Sequence, residues 1–124
     1  MNGYSVPWML RLLRTIRTRP GAVLGSLSVR PLETYIQGYC QARADLGVGV
    51  LGGSQESNDL QLFSEWMRRR HGLRNTNWGW LQFVEELDPS DQNIFTFYRL
   101  FEEYLADMGV DFAEVTPWEF APWK

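Results

Sequence analysis

An all-α fold is predicted for this chain by three observations. Apolar residues recur at i, i+3, i+4, i+7 in successive windows, and glycine, proline and capping residues separate those windows at helix-length intervals. No sustained period-2 alternation appears outside short stretches such as Val110–Val115. At 124 residues the chain holds one domain, since single domains run to about 100–150 residues. Residues 1–124 therefore read as a single compact bundle of about five helices with an aromatic-rich C-terminal tail. A content of 44% apolar and 15% aromatic residues supplies material for a packed core and excludes disorder as the main state.

The first helix covers Trp8–Thr18, where Met9, Leu12, Leu13 and Ile16 form one apolar stripe. Arg19-Pro20-Gly21 and Gly25-Ser26 then read as a turn. The second helix begins near Ser28, tolerates Pro31 in its early turn, and presents Leu32, Tyr35, Ile36, Tyr39, Cys40 and Leu46 until Gly47. Gly38 lies inside it and implies the close approach of a neighbour, because glycine there costs about 1 kcal/mol relative to alanine. Residues 47–57 hold four glycines and read as a flexible connector. They lack the Gly-Lys-Ser/Thr ending that would place a lysine on phosphate. Asn58 and Asp59 can cap a third helix, with Leu60, Phe63 and Met67 inside, Trp66 at the margin and Gly72 as the stop. Asn77 caps a fourth helix, Trp78–Leu87, and Asp88-Pro89-Ser90 forms a tight junction. Ser90 caps the fifth, where Ile94, Phe97, Tyr98, Phe101, Tyr104, Leu105 and Met108 keep helical spacing until Gly109.

Catalysis is not expected. Cys40 lies on an apolar helix face, where a buried thiol is inert, and His71, the only histidine, closes a helix. A single Cys and a single His provide no zinc set, no H-E-x-x-H or EF-hand spacing occurs, and no cofactor is implied. The carboxylates Glu85, Glu86, Asp88, Asp91, Glu102, Glu103 and Asp107 read as a solvated face rather than as acid–base pairs. Arginines interrupt every apolar stretch of the first thirty residues, so no membrane span is expected. The Arg-rich stretch Trp8–Thr18 has features of a presequence or interfacial helix, but its stripe is that of an ordinary core helix. The lone thiol and the lack of an export signal suggest a cytoplasmic protein.

The net charge of −3 conceals a split. Residues 1–74 hold ten Arg against five acids (+5), and residues 75–124 hold Arg99 and Lys124 against ten acids (−8). Arg68–Arg74 is the candidate nucleic-acid element, with Trp78 and Trp80 as stacking groups, but the pI of about 5.1 argues against that use. Pairing of the basic half with the acidic half, within the chain or across a homodimer, is the simpler expectation. In the tail, Trp118 and Trp123 are candidate anchors for a partner.

Ile16-x-x-Arg19-Pro20-Gly21-x-x-Leu24-Gly25, Leu32-x-x-Tyr35-Ile36-x-Gly38-Tyr39 and the segment Phe63–Trp80 carry a resemblance. Over roughly Leu12 to Leu105 the chain resembles small bacterial proteins, some of them immunity partners of polymorphic and contact-dependent growth-inhibition toxins. It departs from them at Val23, where an aromatic is expected, and in the tail. The resemblance implies a non-enzymatic inhibitor whose partner is a cognate protein toxin. For a basic toxin, Glu85, Glu86, Asp88, Asp91, Glu102, Glu103, Asp107 and Asp111 would steer encounter, and Trp118 and Trp123 would slow dissociation. A self-associating structural or regulatory module is the alternative, and a nucleic-acid binder using Arg68–Arg74 the third reading.

Overall fold

The computed structural model describes residues 7–46, 54–72 and 79–115. Among these are six α-helices, a short 3₁₀ turn at Phe112–Glu114 and no strand. The helices are α1 (Pro7–Thr18), α2 (Pro20–Leu24), α3 (Val29–Asp45), α4 (Ser54–His71), α5 (Trp80–Leu87) and α6 (Ile94–Asp107). All four stripe residues of α1 are buried, so its amphipathic face is a core face.

Several boundaries differ from the sequence reading, each for a local reason. The turn after α1 is itself helical: Pro20 opens α2, where its missing N–H is no loss. Gly25 closes that helix at φ 71°, donating its N–H to Gly21 O at 2.8 Å. The connector is shorter than expected, because nothing after Gly53 breaks a helix and Gln55 and Glu56 favour one. Ser54–Ser57 are thus the first turn of α4, and Asn58 and Asp59 lie within the helix instead of capping it. Residues 47–53 lie outside the described residues, as do Asn77 and Trp78. Helix α5 starts at Trp80, and the Gly79 N–H is taken by Gln82 Oε1 at 3.1 Å, the return half of a capping box.

Ser90 does not cap α6. Its hydroxyl accepts the Gln92 N–H within the preceding turn, and the helix begins at Ile94 after Asn93. Asn93 is 4% exposed and works across the fold: Oδ1 accepts the Val29 N–H at 2.9 Å, and Nδ2 donates to Asp88 O at 3.1 Å. Beside it, Ile94 N–H donates to Leu27 O at 2.9 Å. The first amide of α3, which no local side chain caps, is therefore satisfied from α6, and the α5–α6 junction is tied to the start of α3.

The core is aromatic. Phe63 of α4 packs edge-on against Phe97 at 5.7 Å and Phe101 at 5.3 Å, and tilted against Tyr104 at 5.4 Å. Trp80 brings α5 onto Phe97 at 5.0 Å, and Phe112 sets the 3₁₀ turn edge-on to Phe101. Trp66, read as marginal, is buried, and its Nε1 donates to Asp107 at 2.7 Å. The predicted apolar face of α3 is fully buried only in its N-terminal half, through Val29, Leu32 and Ile36. Tyr39 and Cys40, farther along, are half-buried against the core, while Tyr35 and Leu46 face water. Among the described residues no atom lies within 4 Å of where a Gly38 Cβ would stand, so none of them makes the close approach expected there.

Candidate functional site

The acidic residues of the second half are not one solvated face. Arg30 grips Glu85 as a fork, with Nε at 2.7 Å from one oxygen and Nη2 at 2.8 Å from the other. Arg17 meets Glu102 at 2.6 Å, and its guanidinium lies over the rings of Tyr98 at 5.6 Å and Phe112 at 5.8 Å. Here α1, α6 and the 3₁₀ turn converge on one cation. Arg99 pairs with Glu103 one turn along α6 at 3.3 Å. Two of these three pairs join the basic half of the chain to the acidic half, so part of the charge split is satisfied internally.

Three further carboxylates have local work. Asp107 accepts from Trp66, and Asp111 accepts the Ala113 N–H at 3.0 Å, which starts the 3₁₀ turn. Asp88 Oδ2 accepts from Thr96 Oγ1 at 2.5 Å, and Oδ1 accepts from the Ser90 N–H at 3.1 Å. Those donors, Thr96 foremost, hold its carboxyl below the ordinary pKa of 3.8. Glu86 and Asp91 are exposed and make no ion pair or hydrogen bond among the described residues. Trp118 and Trp123 lie outside the described residues.

The two disengaged carboxylates share the α5–α6 junction with two apolar side chains that the sequence reading passed over. Leu87 is 43% exposed and Phe95 is 56% exposed. Phe95 carries a signal in the sequence: it falls between Ile94 and Phe97, off the buried stripe of its helix. The backbone of this stretch is held by Asp88 to Thr96 and by Asn93 to Val29, and Phe95 borders a hollow with Arg17, Pro20, Arg99 and Glu102.

The other candidates are placed differently. Arg68 lies over the Phe83 ring at 5.8 Å, Arg69 and Arg70 are exposed at the C-terminal end of α4, and Arg74 is outside the described residues. His71 is exposed and edge-on to Trp66 at 5.8 Å. Arginines in that last turn complement the helix dipole. Among the described residues no three His, Cys, Asp or Glu side chains gather as metal ligands, and no helix is long and apolar enough to cross a membrane. No family model, curated protein or solved structure matches the chain.

Proposed function

We propose that this chain is a non-enzymatic, immunity-type binding protein of the cytoplasm, which docks on a basic toxin domain and occludes its active site. The observation that carries the reading is the α5–α6 corner, where Glu86 and Asp91, without an ion pair or hydrogen bond among the described residues, lie in the same short stretch of chain as exposed Leu87 and Phe95, on a pinned backbone. Exposed carboxylates can steer a cationic surface, and an exposed aromatic in the same stretch can slow its departure. The internal pairs of Glu85, Glu102 and Glu103 move the steering role from the wide acidic half to this corner.

The experiment is association with the toxin encoded beside this gene. Glu86→Lys combined with Asp91→Lys is expected to lower the on-rate about tenfold at low salt, with the difference shrinking as salt screens it. Phe95→Ala is expected to act on the off-rate instead. An on-rate untouched by the double reversal removes the electrostatic reading, and the absence of any complex removes the toxin-binding one.

A further inference from the structure

Helices α3 and α4 both rest on α5 but hardly touch each other among the described residues. The gap between them is a groove of about 460 Å³. Its floor includes Ile36, Leu60 and Trp80, each more than nine-tenths buried, and the Trp80 ring is held by Phe97 from beneath. That floor is therefore preformed. The walls bring in Glu33 and Gln37 from α3 and Gln61 from α4, none of which has a hydrogen bond or ion pair among the described residues. Among the described residues no Lys, Arg or His lines the groove, and Glu33 is the one carboxylate.

We propose that this groove binds a small arylalkylamine, its ring over Ile36, Leu60 and Trp80 and its ammonium group at Glu33. The volume falls in the range of about 300–1,000 Å³ typical of small-ligand sites, and the lining has the usual make-up of an apolar floor with a few polar groups. An aromatic floor attracts both a ring and a cation. A carboxylate in a lining that holds no cation among the described residues selects positive charge and rejects negative charge. Gln37 and Gln61, on opposite walls, offer amide donors and acceptors to ring substituents. The site is separate from the docking corner, because Trp80 and Leu87 are at opposite ends of α5, about 10 Å apart along its axis.

Cys40 lines the groove and is the only cysteine in the chain, so it reports occupancy without a label. Tryptamine is expected to slow alkylation of Cys40 by iodoacetamide at least about fivefold near saturation, and indole-3-acetate, its anionic counterpart, is expected not to. Glu33→Gln should weaken tryptamine about tenfold while leaving protection by neutral indole unchanged. Ala44→Trp, at an exposed position on the groove wall, should abolish protection by tryptamine and by indole with the melting temperature retained. Equal protection by tryptamine and indole-3-acetate, or tryptamine protection unaltered in Glu33→Gln, overturns the proposed ligand class. No protection by tryptamine up to about 10 mM, weak even for a fragment, overturns the site.

Discussion

Helices α3 and α6 carry the same apolar period, yet the longer one buries three side chains and the shorter one seven. Helix α6 is surrounded: α3 and α4 pack on it, the 3₁₀ turn lies against it, and Tyr98 Oη donates to Leu13 O of α1 at 2.6 Å. Helix α3 is fully buried only at Val29, Leu32 and Ile36, and beyond them only Tyr39 and Cys40 pack, half-buried, against the core. Periodicity thus gives the direction an apolar face points, whereas the depth of its burial depends on what the rest of the chain places opposite. Residues from Glu33 to Ala44 of α3 form one wall of the groove, so the less covered helix is the one that borders the proposed ligand site.

The largest expected effect tests that contrast. Phe101→Ala should cost about 3–5 kcal/mol, since it empties a fully buried aromatic site. Tyr35→Ala, at a stripe position of α3, should stay within about 0.5 kcal/mol. Urea denaturation measures both, and similar costs would break the comparison. Next is Asn93→Ala, which leaves the buried Val29 N–H without its acceptor and should cost about 1–3 kcal/mol. Amide exchange at Val29 should quicken with it. A smaller effect, of opposite sign, is expected at Gly38→Ala: the Cβ enters open space on a helix, and stability should rise by about 0.5–1 kcal/mol. A loss there would mean that the uncovered half of α3 has a neighbour after all.

The smallest effect lies on the acid side. The folded-state pKa of Asp88 is lowered by its hydrogen bonds, so the stabilisation is present above the unfolded value near 3.8 and is lost as pH falls through the folded one. The stability difference between the wild type and Asp88→Asn should therefore narrow on acidification. A difference independent of pH would show that the charge at the junction contributes nothing.

The stripes of α1 and α6 were legible because each residue of a regular helix is oriented by its near neighbours. The stops at Gly72 and Gly109 were legible for a related reason: both adopt positive φ, 67° and 82°, which glycine enters without steric cost. The start of α4 was missed because Asn58 and Asp59 are good caps wherever they stand, and only the chain ahead of them shows that the helix has already begun. At the candidate site the charge split was visible, but its resolution was not. Arg17 and Glu102 are 85 residues apart, and Arg30 and Glu85 are 55 apart. No local pattern distinguishes those paired carboxylates from Glu86 and Asp91.

The sequence by itself determined the all-α class, the run of apolar faces and most helix ends, because backbone conformation is governed by interactions within a turn or two of each residue. Only the tertiary structure decided which faces are covered, that Asn93 caps a helix other than its own, and which acids pair with distant arginines. Those outcomes depend on desolvation and on the approach of groups far apart in the chain, and one set of helices can satisfy its local rules in many arrangements before packing selects one.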